Sequence, residues 1–134
     1  MVGYAFSNRI DTALTLAALR MAVRREYPAL GLMFHSDRGV QYAAAVYREE
    51  LEKLGFVQSM SRKGEPHGNA VAENFFSCLK CELVYLTSYA TRRQAQNSIF
   101  RYIEGFYNPV RPHSSIGWLS PMEYARQLKR QNVA

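Results

Sequence analysis

Short apolar runs alternate with longer helical patterns over the first half of the chain, and few folds accept elements in that order. The short runs have the length and composition of β-strands, and they lie at residues 2–6, 32–34 and 56–60. The segments between them place apolar side chains at helical spacing, over residues 13–23 and 42–54. Strands interleaved with helices in this way predict an α/β fold.

The second half of the chain is predicted to be almost wholly helical. Residues 61–69 contain two glycines and a proline, and we expect them to form a loop. Helical patterns follow, interrupted by prolines after residue 107, and they cover residues 70–86, 91–107 and 121–130. We expect residues 1–108 to form a core and residues 109–134 to form a C-terminal extension packed on it.

The charge of the chain favours a polyanionic partner. Lysine and arginine number 17 against 11 aspartates and glutamates, which gives a formal net charge of +6 and a pI near 9.5. The excess is concentrated in residues 83–134, where seven basic and two acidic side chains give +5. Nucleic acid is a partner of this kind, although an ordinary globular domain with a basic surface is the alternative.

Composition excludes several other classes of protein. A chain with 48% hydrophobic and 21% charged residues is globular rather than disordered. Because no run of 18 apolar residues occurs and residues 1–6 do not resemble a signal peptide, we expect a cytoplasmic protein without a membrane span. Cys78 and Cys81 form a single C-x-x-C pair within a predicted helix, which favours two reduced cysteines over a zinc site.

Two acidic residues are candidates for a functional site. Asp37 comes three positions after the apolar run 32–34, at the expected carboxyl end of the strand, and the carboxyl ends of strands are where α/β folds gather ligands. Glu73 falls in the first turn of the predicted helix 70–86, and Lys80 follows it on the same face about two turns later. Each has a plainer alternative, because Asp37 suits a turn and a Glu–Lys stripe suits a solvated helix face.

One face of the same helix is predicted to enter the core. Its apolar side chains recur at helical spacing, and they are Ala72, Phe75, Phe76, Leu79 and Leu83. His35, which precedes Asp37, is expected to fix the turn at the end of its strand rather than to act as a general base.

Four motifs together resemble the catalytic core of bacterial insertion-sequence transposases, the DDE type related to retroviral integrases. Thirty-five residues separate Asp37 from Glu73, as between the second and third acids of that family's Asp-Asp-Glu triad. The matching stretches are HSDRGVQY at 35–42, SMSRKG at 59–64, and NAVAENFF through LKCE at 69–82. The family's C-terminal signature is matched by Tyr107-Asn108, Arg111-Pro112-His113, residues 119–121 and Tyr124.

The resemblance implies a ribonuclease-H-like mixed sheet flanked by helices and an activity in DNA cleavage and strand transfer. It assigns Asp37 and Glu73 as two of the three acids that hold Mg²⁺ or Mn²⁺, whose chemistry would stabilise the attacking and leaving oxygens. Lys80 would contact transposon-end DNA. The further expected DNA contacts are Arg62, Lys63, Arg111 and His113, and a structural role is the alternative for the last two.

Two positions depart from the family pattern. No residue matches the first aspartate, since Asp11 falls at the start of a helix after the run 2–6, and Gly68 stands where the family has aspartate. We therefore expect a core that lacks its first strand, with weak metal binding and no strand transfer on its own. An unpaired strand edge would favour a homo-oligomer, with strand exchange as one route to it.

Two further functions stay open at this point. One is a non-catalytic DNA-binding or regulatory fragment of a transposase. The other is a related nuclease of the ribonuclease-H fold, which would need a fourth acid that the sequence does not supply.

Overall fold

The computed structural model describes residues 1–61 and 70–131, and contacts divide the chain into two compact units. The N-terminal unit comprises Val2–Phe75, and the C-terminal unit comprises Phe76–Ala134 together with Met1. The boundary predicted near residue 108 stays a prediction. Within the described part of the chain, no helix has the length and apolar character needed to cross a membrane.

The N-terminal unit combines helices with a small parallel sheet. Its elements are α1 (Thr12–Glu26), β1 (Met33–Ser36), α2 (Val40–Ala43), α3 (Ala45–Lys53) and β2 (Val57–Met60). The two strands are parallel, with Met33 opposite Val57 and Ser36 opposite Met60. This arrangement agrees with the α/β class predicted from the sequence.

A compact apolar cluster supports β1 from below. Its buried members come from α1, α3 and the residue before β2, and they are Leu16, Leu19, Tyr47, Leu51 and Phe56. Phe34 of β1 packs against this cluster, and its ring lies 5.7 Å from that of Tyr47. The end of β1, where Asp37 follows, is therefore attached to the best-buried part of the unit.

The strand predicted at residues 2–6 is wrong, because this segment packs side-on against α1. A Cβ atom on Gly3 would lie 2.3 Å from the carbonyl oxygen of Ala18 and 2.7 Å from the Cβ of Ala22. The Tyr4 amide donates to the sulfur of Met21 at 3.5 Å rather than to a neighbouring strand. The apolar pattern of residues 2–6 is typical of a strand, but the segment packs on α1 and pairs with no described strand.

The helix predicted at residues 42–54 is in fact two helices. Ala44 is extended, with φ −60° and ψ 138°, and it separates α2 from α3. Of the apolar side chains at helical spacing in this segment, Val46 is 53% exposed, whereas Tyr47 and Leu51 are buried. The break rotates the start of α3, which changes the face that reaches the core.

Helices dominate the second unit, and α4 begins in the first. The elements are α4 (Ala70–Glu82), a 3₁₀ turn (Val84–Leu86), α5 (Arg92–Tyr102), a π turn (Ile103–Tyr107), a 3₁₀ turn (Ser114–Ile116) and α6 (Pro121–Gln131). The helices predicted at 70–86 and 91–107 therefore end earlier as α-helices. The Thr91 hydroxyl caps α5 by accepting from the Gln94 amide at 3.2 Å.

The buried stripe of α4 is narrower than predicted. Phe75, Cys78 and Leu79 are buried, which follows the i, i+3, i+4 pattern of one helix face. Ala72 and Phe76 are exposed, the latter to 54%, so their assignment to the core is wrong. Cys78 takes the central place in the stripe, and this rotates the face away from residues 72 and 76.

Candidate active site

Asp37 lies immediately after β1 and is exposed at the strand's carboxyl end. Its Oδ1 atom accepts a hydrogen bond from the Gly39 amide at 2.8 Å, which closes a tight turn. A Cβ atom on Gly39 would lie 2.9 Å from that same oxygen, so a larger residue there would displace the Asp37 carboxylate. The Oδ2 atom makes no hydrogen bond to any described residue and stays available to a ligand.

Side chains from both strands surround the Asp37 turn. The imidazole of His35 bridges the strands, with Nδ1 3.0 Å from the Ser59 hydroxyl and Nε2 3.0 Å from the Ser61 hydroxyl. His35 and Ser59 are partners in the β1–β2 register. His35 thus fixes the strand ends, as its position before Asp37 suggested, whereas no sequence pattern singles out either serine.

Glu73 occupies the first turn of α4 and is exposed. Its carboxylate forms no hydrogen bond or ion pair with any described residue, so it is also free to take a ligand. Asp37 and Glu73 belong to the same compact unit. However, the ranges 1–61 and 70–131 contain no group of three or more His, Cys, Asp or Glu side chains placed to hold a metal.

Lys80 lies in the last turn of α4, about two turns after Glu73 along the same helix. Its side chain is exposed and has no ion-pair partner among the described residues. The other two basic residues predicted in this region, Arg62 and Lys63, lie outside the described residues.

Arg111 has a carboxylate partner within its own unit. Its Nη2 lies 2.6 Å from Oε1 of Glu82, and its Nε donates to the same carboxylate at 2.8 Å and 3.1 Å. The Tyr102 hydroxyl donates to the other Glu82 oxygen at 2.7 Å. Hydrogen bonding to Arg111 holds the pKa of Glu82 below its ordinary value, so the pair stays ionised. These contacts favour the structural alternative for Arg111.

His113 packs inside the same unit rather than pointing into solvent. Its ring meets that of Tyr107 edge-on, with centroids 5.0 Å apart. Its Nε2 atom is buried and finds no hydrogen-bond partner among the described residues. Burial lowers the pKa of His113, and the charge of Arg111 lowers it further, so the imidazole is neutral. A neutral, half-buried ring again favours the structural alternative.

Comparison with known proteins gives consistent matches over both units. A model described as "Integrase core domain" matches residues 54–121, and a second model with the same description matches residues 1–66. The transposase for insertion sequence element IS904 of Lactococcus lactis subsp. lactis (strain IL1403) is 38% identical over 126 residues, covering 94% of this chain and 50% of the relative.

Two further relatives match a similar share of this chain and of their own length. The uncharacterized 31 kDa protein of insertion element IS600 from Shigella sonnei is 44% identical over 124 residues, with 92% of this chain and 46% of the relative covered. Transposase InsF for insertion sequence IS3A of Escherichia coli (strain K12) is 36% identical over 134 residues, with 100% and 45% covered. The chain therefore spans about half the length of these relatives.

Proposed function

The chain belongs to the integrase core family, and from this premise we propose that it acts in DNA transposition as part of a ribonuclease-H-like catalytic core. One observation supports the assignment most directly. Asp37 at the end of β1 and Glu73 at the start of α4 are both exposed, both unpaired with any described cation, and separated by 35 intervening residues. Exposed carboxylates without a described cation partner are the type of ligand that metal-dependent phosphoryl transfer uses.

The donor chemistry of this pair fits Mg²⁺ or Mn²⁺. Both cations prefer hard oxygen ligands, and Mg²⁺ commonly takes one or two protein carboxylates while keeping several waters. The Oδ2 atom of Asp37 and the carboxylate of Glu73 are uncommitted, while the Gly39 amide fixes the orientation of Asp37. A bound cation would stabilise negative charge on the attacking and leaving oxygens of a phosphodiester.

The proposed DNA contacts divide into two groups. Lys80 is exposed with no described partner, so we assign it to a phosphate or base near the transposon end. Arg62 and Lys63 are assigned by their sequence motif alone. Arg111 and His113 are instead assigned to the packing of the C-terminal unit, because Glu82 and Tyr107 already contact them. DNA and a second copy of the chain are the proposed partners.

Metal binding tests this assignment directly. We expect the chain to bind Mn²⁺ weakly, and Asp37→Asn or Glu73→Gln each to weaken binding at least about tenfold, because a ligand is lost. Titration followed by the electron paramagnetic resonance of free Mn²⁺ would measure this. Glu52→Gln, which removes an exposed carboxylate of α3, serves as the control and should leave binding unchanged. Equal binding by all four proteins would contradict the proposed site.

The isolated 134-residue chain is expected not to join DNA ends. The family resemblance implies three carboxylates for joining, and Asp11, the one other aspartate of the sequence, does not match the first of them; it instead caps α1 by accepting from the Leu14 amide at 2.9 Å. A strand-transfer assay with labelled transposon ends and Mg²⁺ should therefore give no joined product. Efficient joining by the purified chain would show that another group completes the site.

A second candidate function has one observation in its favour. The described residues supply only two acids of the site and no cluster of three metal ligands. A chain of this kind would bind DNA without catalysis and could regulate a full transposase. DNA affinity that is the same in EDTA and in Mg²⁺, and unaffected by Asp37→Asn, would favour this candidate.

A further inference from the structure

Arg38 contacts a backbone carbonyl, whereas Arg20 and Arg111 contact carboxylates. Its Nε donates to the carbonyl of Ser61 at 3.0 Å, which orients the guanidinium without pairing its charge with any described carboxylate. Arg20, in the same unit, instead places its Nε 2.7 Å from the Glu50 carboxylate. Arg38 forms no ion pair with any described carboxylate, although Asp37 is its neighbour in sequence.

The Ser61 carbonyl is itself held in place. The Ser61 amide donates to the carbonyl of Ser36 at 2.9 Å and extends the β1–β2 ladder by one residue. The Ser61 hydroxyl lies 3.0 Å from Nε2 of His35. Arg38 is therefore oriented by a backbone carbonyl that is itself hydrogen-bonded into the paired strand ends.

One edge of the Arg38 guanidinium makes no contact with the described residues. The contact to Ser61 employs Nε, and the two terminal nitrogens, Nη1 and Nη2, have no partner among the described residues. A planar fork of N–H donors with an uncompensated charge matches the oxygens of a phosphate. Orientation before binding reduces the entropy lost when such a contact forms.

We infer that Arg38 binds a backbone phosphate of DNA beside Asp37, through its terminal guanidinium nitrogens. This inference rests on the proposed function, since it names the group that receives the substrate at the same strand end. The negative charge of Asp37 opposes a phosphate at this position. The contribution of Arg38 is therefore greater when a divalent cation offsets that charge.

Fluorescence anisotropy of a labelled DNA duplex in Mg²⁺, at several salt concentrations, tests the inference. Arg38→Gln is expected to weaken binding roughly tenfold and to lower the slope of log affinity against log salt by about one, as the loss of one phosphate contact does. Arg20→Gln removes the same charge from an arginine already neutralised by Glu50, and should change the slope little.

A third variant distinguishes the contribution of the planar guanidinium from that of its charge. It also guards against mistaking a folding defect for a loss of DNA binding. Arg38→Lys keeps the charge, so it should retain most of the salt slope while losing affinity. Circular dichroism melting checks that each variant folds.

The outcomes are distinguishable. If the unaltered chain binds DNA and Arg38→Gln and Arg38→Lys both behave like Arg20→Gln, the inference fails and the proposed function stands. If the unaltered chain shows no DNA binding at all, the proposed function fails and the inference fails with it.

Discussion

Leu51→Ala is expected to lower the free energy of unfolding of the chain by about 2–5 kcal/mol. Leu51 lies on α3, is 1% exposed, and belongs to the cluster on which Phe34 of β1 packs. Truncation removes buried apolar surface and leaves a cavity that neighbouring side chains fill only in part. Urea denaturation followed by circular dichroism would measure the loss.

Val46→Ala is the matched control, because it removes two methyl groups from the same helix at a position 53% exposed. We expect its effect to stay within about 0.5 kcal/mol, as for most surface substitutions. Similar losses for both variants would mean that α3 does not present Leu51 to the core. The comparison of the two variants also bears on function, because Asp37 follows β1, and Phe34 of β1 packs on the cluster that contains Leu51.

Arg111→Met is expected to destabilise the C-terminal unit by about 1–2 kcal/mol, a value reduced from that of a fully buried pair because water reaches both partners. The Arg111 and Glu82 side chains are 22% and 33% exposed. Methionine retains much of the packing volume but leaves the Glu82 carboxylate with only the Tyr102 hydroxyl. Arg101→Met, an exposed arginine of α5, removes the same charge and should cost much less.

The pH dependence of the Arg111→Met effect identifies its cause. Arg111 lowers the pKa of Glu82 from an ordinary value of 4.5, so this contribution is fully present above that pH and is lost as pH falls through the folded-state pKa. The stability difference between the unaltered chain and the variant should therefore narrow below about pH 4.5. Other acids titrate equally in both proteins and cancel. A gap that is constant from pH 7 to pH 3 would point to packing instead.

Sequence reasoning identified the parts of the site that local patterns determine. An apolar run that stops at Asp37 fixes a strand end, and apolar spacing fixes a helix with Glu73 in its first turn, so both placements are confirmed. The Glu82–Arg111 pair was missed because its members are 29 positions apart and no local pattern links them. The extended Ala44 was missed for a related reason, since alanine carries no signal for a helix break.

The family resemblance noticed in the sequence is confirmed by the integrase core match, while the roles of individual residues stay predictions. Arg111 shows why a sequence pattern alone does not determine the role of a residue. A basic side chain in a proline-flanked loop suits a phosphate contact, and only the coordinates show that a carboxylate from α4 already accompanies it. Its partner Glu82 is four residues before Leu86 in a region where sequence alone predicted continuous helix, so nothing marked it as special.

The close approach of Gly3 to α1 limits which substitutions this chain can accept at residue 3. A Cβ atom there would meet the backbone carbonyl oxygen of Ala18 and both the backbone nitrogen and the methyl group of Ala22. A larger side chain at residue 3 would have to be accommodated by movement of the helix backbone itself, because the carbonyl of Ala18 cannot be made smaller by substitution. No substitution at positions 18 or 22 would remove these backbone atoms, so glycine is retained at position 3 whatever side chains α1 carries.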